Sequence, residues 1–464
     1  MKSLHKIILF ALLPLMGACS GMLDIEPHSA VSPTVVGSDD IEALRIGMYN
    51  KVQEGPTYYS YIAFDLFGGE LMTSTGRPID LINSLSNALH TFVSSQWNGY
   101  YKALLQVNNV MSIAEGLADS PTRNRVLGEC RYFRAYIYLC LVTRFGDVPV
   151  LRQNTQAKVS RDPASMAWEL VEEDLDAASG FLNGLSADSF YYVSPAAVTA
   201  LKARVKLYLG KKGEAKELAE SLIANPNYAL DDFDKIFRSK ANKEVIFAVH
   251  QANGEAVNGP GYYLGWNSNY VEAAYQNNPV PITGGNQWWW YTDRYKALLT
   301  SVEGDTRTKL TYNRADYGTT IKSIEWTEKG VGQMISGARI FDSDFILYRY
   351  AEAFLMDAEI KYYRKDYGGA LTALGEITKR AYGNAAHYTD PSDAAVKRAI
   401  VEESLKELVG EGRTWWTLIR LDAVWDYNKD VADKRESNAN ILLWPITQES
   451  IIKNSKLKQT EGWY

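Results

Sequence analysis

Three cysteines in 464 residues are too few for a disulfide framework, and five histidines leave little material for a metal centre. Cys130 and Cys140 stand ten residues apart in one helical pattern. That spacing is about 15 Å along a helix axis, beyond the roughly 7 Å between Cα atoms that a disulfide allows, so both are expected as buried free thiols. His28, His90, His250 and His387 are scattered, and Asp231-Asp232-Phe233-Asp234 lacks the glycine and closing glutamate of a calcium loop. No metal and no obligatory cofactor is therefore expected. No nucleophile elbow, zinc-protease helix or phosphate loop is present. A helical glycoside hydrolase would need two carboxylates about 5 to 10 Å apart across a cleft. The 55 acidic residues leave such a pair open, although no catalytic motif accompanies it.

Positive charge is also in short supply. A net charge of −6, a pI near 5.6 and the absence of any Lys/Arg cluster argue against nucleic acid as a partner. Long apolar runs are missing too: the run Ile7 to Leu15, preceded by Lys2, His5 and Lys6, is too short to span a bilayer and reads as a signal peptide. Gly17 and Ala18 stand directly before Cys19, the arrangement that lipoprotein processing requires, so residues 1–18 are expected to be removed and Cys19 to carry lipid. Met16 stands where Leu is usual. Two or three acyl chains, at about 0.8 kcal/mol per buried methylene, hold a protein on a membrane where one does not. Residues 19–38, rich in Ser, Gly, Pro, Asp and Val, read as a flexible tether.

What the chain has in excess is aromatic surface with a polar handle: 30 Tyr and 12 Trp against 14 Phe. Such rings suit amphipathic ligands. Helical periodicity covers Asp40 to Val52, Gln96 to Leu117, Arg123 to Phe145, Ala164 to Leu182, Pro195 to Leu209 and Gly213 to Ala224, and later about Ala394 to Val409. One hairpin recurs. Ala203 to Gly210 leads to Ala215, and Ala358 to Tyr363 leads to Ala370, each with two alanines twelve residues apart. That is tetratricopeptide spacing, in which small residues let two helix axes cross closely. A strand is expected at Val245 to Val249, followed by an irregular Gly/Asn/Pro/aromatic stretch from Gln251 to Gln287, long enough to be functional.

Several separated segments resemble one family, in the right order. Arg131-Tyr132-Phe133-Arg134-Ala135-Tyr136-Ile137-Tyr138, continuing to Arg144-Phe145-Gly146-Asp147-Val148-Pro149-Val150, resembles the signature of SusD-like (RagB/SusD) outer-membrane nutrient-binding lipoproteins. Trp97, Tyr100, Asn108 and Asn109, the run Phe345 to Ala353, and the closing Leu443-Trp444-Pro445-Ile446 with Gln459 and Gly462 are similar to further family motifs. Ser404, Thr417 and Thr460 depart from the pattern, where Arg, Asp and Asn are usual, and leave the local packing there open. The resemblance implies a mostly α fold with four tetratricopeptide-like helical hairpins and an irregular, loop-rich ligand-binding half with a few short strands. It implies a single domain over 39–464, with helical repeats at about 39–230 and 344–382 and irregular parts at about 231–343 and 383–464. It further implies a lipid-anchored outer-membrane protein, facing the medium, that binds a glycan and delivers it to a SusC-like TonB-dependent transporter. Peptide uptake by the same architecture and a repeat-based protein scaffold are the alternatives.

A sugar offers a face of C–H bonds and a rim of hydroxyls, so its site wants flat rings beneath and polar groups at the edge. Three clusters qualify. The first is Trp288-Trp289-Trp290-Tyr291, where three consecutive tryptophans cannot all enter one core and at least one is expected to be exposed. The second is Tyr262, Tyr263, Trp266 and Asn267 among glycines and a proline. The third is the loop from Gly68-Gly69-Glu70 to Arg77 and Asp80, which aligns with a loop lining the ligand face in the family. Inward packing of the rings, and pairing of Arg77 with Asp80, stand as the competing readings. Trp97, Trp415, Trp416 and Trp444 lie in motifs expected to be structural.

Overall fold

The computed structural model describes residues 40–55, 68–73, 91–238, 241–251, 289–317, 321–336 and 338–463. After α1 (Ile41–Gln53) and the short strand β1 (Leu71–Thr73) come α2 (Thr91–Gly116), α3 (Pro121–Phe145), α4 (Ala164–Phe181), α5 (Pro195–Tyr208) and α6 (Lys212–Ile223). These follow the hydrophobic periodicity closely; α2 begins a turn earlier than expected. Local chemistry sets their starts. The Ser120 hydroxyl accepts from the Arg123 N–H at 3.2 Å with Pro121 in the first turn, and Ser194 does the same for Ala197 at 3.1 Å ahead of α5.

Helix α3 is the axis of the first half, packed between α2 and α4. From Val126 to Phe145 only Arg131 and Thr143 escape full burial. The charges it buries are each met. Glu129 takes two bonds from Arg45 of α1, at 2.5 and 2.8 Å, and Arg134 clasps Asp174 of α4 at 2.6 and 2.8 Å. The Tyr138 hydroxyl donates to the Pro149 carbonyl at 3.2 Å, and Val148 bridges to Asp162. Cys130 and Cys140 are free and buried. The motif at Arg131 to Val150 is thus a packing device that locks one helix and its exit turn.

Beyond α7 (Phe233–Arg238), strand β2 (Val245–Val249) pairs antiparallel with a distant partner, β8 (Phe345–Arg349). Between them lie β3 (Trp289–Tyr291), α8 (Asp293–Leu299), the hairpin of β4 (Asn313–Tyr317) with β5 (Ile321–Trp326), and the hairpin of β6 (Gln333–Ile335) with β7 (Ala338–Ile340). Strand β8 runs directly into α9 (Tyr350–Tyr363), which turns into α10 (Tyr367–Tyr382). The recurring alanines Ala203, Ala215, Ala358 and Ala370 are all buried in the pairs α5/α6 and α9/α10. The two hairpins also stack, with Met356 and Ile360 of α9 set among Ala203, Ala215 and Ala219. The molecule is therefore mostly helical, with a few two-stranded ribbons.

Helices α11 (Asp393–Leu408) and α12 (Thr414–Arg420) begin the C-terminal part, whose tail folds back so that the Trp444 N–H reaches the Arg144 carbonyl at 2.6 Å. Trp97, Trp415, Trp416 and Trp444 are buried, as expected of packing residues. The departures from the family pattern are absorbed locally. Ser404 turns its hydroxyl back to the Ile400 carbonyl at 2.7 Å, Thr417 accepts from Arg420 at 3.3 Å, and the Thr460 N–H donates to Gln459 at 2.9 Å.

Candidate functional site

Strands β1 and β3 pair antiparallel, with Leu71 opposite Tyr291, Met72 opposite Trp290 and Thr73 opposite Trp289. That ribbon joins the first and third aromatic and polar segments singled out in the sequence. Its base is tied by the Thr292 hydroxyl, which donates to the Gly69 carbonyl at 2.8 Å across 223 residues of chain, and by the Thr292 N–H on the Glu70 carbonyl at 2.9 Å. Thr292 also caps α8.

Strand alternation sorts the side chains. Trp289 and Tyr291 point inward, 1% and 5% exposed, while Trp290 between them is 41% exposed. Of the ten described tryptophans it alone is exposed. Tyr291 packs on Tyr295 with centroids 5.3 Å apart and edge-on to Tyr312 at 6.2 Å. The expectation of ligand contact is corrected for Trp289 and Tyr291, which are the ribbon's underside, and for Glu70, which is fully buried. The Glu70 carboxylate folds beneath its own turn: a Cβ at Gly68 would lie 2.0 Å from it. Gly69 has φ +77° and passes so close to the Tyr427 carbonyl that a Cβ would sit 2.6 Å from that oxygen. Only glycine fits both demands. Cys19, Arg77, Asp80, Tyr262, Tyr263, Trp266, Asn267 and Trp288 lie outside the described residues.

Residues that the sequence did not single out hold the ribbon in place. Arg294 donates to the Gly68 and Gly69 carbonyls at 3.3 Å and lies over the Tyr427 ring at 4.7 Å. Tyr295 spans to α11, its hydroxyl donating to the Leu405 carbonyl at 3.0 Å. Lys296 sits between Asp293 at 2.9 Å and Glu325 at 3.2 Å; burial lowers its pKa, but the two carboxylates outweigh that and raise it. Burial, then the bond to Glu325, raises Tyr312, and burial pushes Tyr427 up to about 12. The Gly68-Gly69 pair was the one local signal of a close backbone approach. Chemically, the arrangement offers one exposed flat ring on a ribbon tied down at its base, suited to stacking on a C–H face.

A second concentration of charge lies in the interior. Arg349, at the end of β8, donates to Glu244 at 2.8 Å, to Glu411 at 2.9 and 3.0 Å, and to Glu407. Arg307 reaches Asp305 and Glu403 at 2.9 Å and Glu407 at 3.1 Å, and Lys329 reaches Glu411 at 2.8 Å. Burial raises carboxyl pKa values, but Arg349, Lys329 and Arg413 overcome it at Glu411 and hold it at about 2, and the guanidiniums hold Glu407 well below the usual range. At Glu244 burial wins and the carboxyl is raised. Two carboxyls pushed apart in this way would suit acid and base roles. Here Glu244 and Glu407 are both fully buried, so no substrate reaches them and the cluster is structural.

A family model described as "Starch-binding associating with outer membrane" matches residues 22–209, and one described as "SusD family" matches residues 285–463. The SusD-like protein P38 of Formosa agariphila is 22% identical over 502 residues, covering 96% of this chain and 96% of that protein. The starch-binding protein SusD of Bacteroides thetaiotaomicron is 22% identical over 429 residues, 78% of this chain and 76% of its own. Among solved structures, a SusD superfamily protein of Bacteroides fragilis superposes with a TM-score of 0.76 at 24% identity, covering 92% of this chain and all of that one. B. fragilis NanU gives 0.75 at 23% identity over 95% of this chain and 100% of its own.

Proposed function

The chain belongs to the SusD family, and from that premise we propose that it is a cell-surface binding protein that captures a glycan and passes it to a SusC-like TonB-dependent transporter in the outer membrane. The observation that carries the glycan reading is Trp290, the single exposed tryptophan among the ten described, held outward on a ribbon whose other rings are all buried. A ring presented in this way can stack on a sugar's C–H face without first being ordered, which lowers the entropic cost of binding. The family likeness supports a binding role over catalysis. The short apolar run, with Gly17 and Ala18 ahead of Cys19, supports processing at that cysteine and a lipid anchor, with residues 19–38 as the tether.

Calorimetry of the purified protein against oligosaccharides, with peptides alongside, tests the reading. The expected result is binding of at least one glycan, with Trp290→Ala weakening it at least tenfold while the melting temperature stays within about 2 °C, as befits an exposed side chain. Silence toward every saccharide together with peptide binding would sink the glycan assignment.

A further inference from the structure

A cleft of about 450 Å³ opens well away in sequence from the ribbon, between the loop ahead of α5, the turn after α6 and the approach to β2. Its size falls within the about 300 to 1,000 Å³ typical of small-molecule sites. Two half-buried rings, Phe190 and Tyr228, line it together with Asn225, Asn227, Asn242 and Lys243, and no carboxylate is among the described residues of its wall.

The wall is built and not merely left over. The Asn225 side-chain oxygen accepts the Asn227 N–H at 3.0 Å, and that of Asn242 accepts the N–H groups of Glu244 and Val245 at 3.1 and 2.8 Å. The Ala229 N–H donates to the Lys243 carbonyl at 3.1 Å, joining the two asparagine turns, and the Ala248 N–H of β2 fixes the Phe190 carbonyl at 2.9 Å. With the Asn225 oxygen engaged, its amide nitrogen is the group left to offer to the cleft; the exposed Asn227 adds a donor and an acceptor, and Lys243 a cation. Ser186, Ser189 and Ser194 add hydroxyls, with Ser194 also capping α5.

We propose that this cleft is a second saccharide site, taking a neutral oligosaccharide segment. Rings beside amides and hydroxyls, with no acid among the described lining residues to attract a cation, match a polyol with an apolar face. The proposal rests on the glycan reading and adds to it a site that shares no residue with the ribbon. Two separated sites on one capture protein would hold a long glycan by avidity, since the second contact is intramolecular.

The test is calorimetry of the purified protein with neutral glucan, mannan, xylan and galactan oligosaccharides of graded length. Three variants accompany it: Trp290→Ala, Asn227→Ala/Lys243→Ala at two exposed rim positions, and Ser186→Trp, which fills the exposed rim with bulk. The expected result is that Trp290→Ala retains a binding component which both cleft variants remove, and that the cleft variants weaken the longest bound oligosaccharide about tenfold. Wild-type affinity and stoichiometry in both cleft variants, while Trp290→Ala loses all binding, would overturn the second site and leave the ribbon reading intact. Failure of the wild type to bind any saccharide would overturn both.

Discussion

Replacing Glu407 by glutamine tests whether the interior charge cluster holds together the separate segments that meet in it between residues 244 and 411. Glu407 receives guanidinium bonds from Arg349, Arg380 and, at 3.1 Å, Arg307. The Arg307 and Arg349 side chains are fully buried and that of Arg380 is one-tenth exposed. An amide of the same shape keeps the volume but removes the negative charge, leaving those cations short of a counter-charge away from water. Breaking a buried pair from one side costs about 3–5 kcal/mol. At about 2.1 cal/mol/K per residue, the unfolding entropy of a chain this long is about 0.9 kcal/mol/K, so the melting temperature should drop by about 3–6 °C. Calorimetric melts at pH 7 read this directly, with Glu217→Gln at an exposed position of α6 as the same chemical change without the burial. Equal melting temperatures for Glu407→Gln and the wild type would refute the reasoning and reduce the cluster to bystanders.

Acid should reveal the same cluster. Glu411 stands at about 2 when folded against an ordinary 4.5, so its stabilisation is complete above about pH 4.5 and is lost as pH falls toward 2, a difference of about 3 kcal/mol. Glu407 and Glu352 are lowered as well and act in the same direction, whereas burial raises Glu129 and Glu244, whose contributions are present at low pH and fade as pH rises through their folded values. Melts from pH 7 to 3 should therefore fall below about pH 4.5, with a shallower fall in Glu411→Gln. Gly69→Ala should cost about 1–3 kcal/mol through its positive φ and the Tyr427 contact and should weaken glycan binding, whereas Gly47→Ala in α1, with open space around it, should be neutral or slightly stabilising on the same two assays. Ala215→Leu at the crossing of α5 and α6 should lose about 1–3 kcal/mol to overpacking, and Ala224→Leu on the surface almost nothing, as read from denaturant midpoints.

The helices could be read from the chain because each buries one continuous face, and the cues for it are local: spacing, Ser120 and Ser194 as caps, and small alanines at crossings. The ribbon could not be read in the same way. Nothing near Leu71 names Tyr291 as its partner, since strand pairing across more than 200 residues is decided by the assembled core. Alternation could have told Trp289 from Trp290 once a strand was assumed, but Gly and Pro around the cluster argue for a loop. The interior charges mislead in the opposite direction. Glu403, Lys406 and Glu407 look like a solvated helix face, yet all three are buried, because Arg307, Arg349 and Arg380 arrive from distant segments to meet the acids.

These two hidden features are connected through α11. The ribbon stands on Tyr295, whose hydroxyl is held by the Leu405 carbonyl of that helix, and α11 is itself fixed by Glu403 and Glu407 within the charge cluster. An exposed indole on a three-residue ribbon would be a poor platform if the ribbon were free, since two short strands alone are scarcely stable in water. Anchoring by Tyr295, by Arg294 stacked on Tyr427 and by the Gly69 contact places the ring on the same framework as the core. The buried ions are an expensive way to stabilise a fold, and apolar residues could do as well. What directional bonds add is one defined position for α11, and with it one position for the ribbon that carries Trp290.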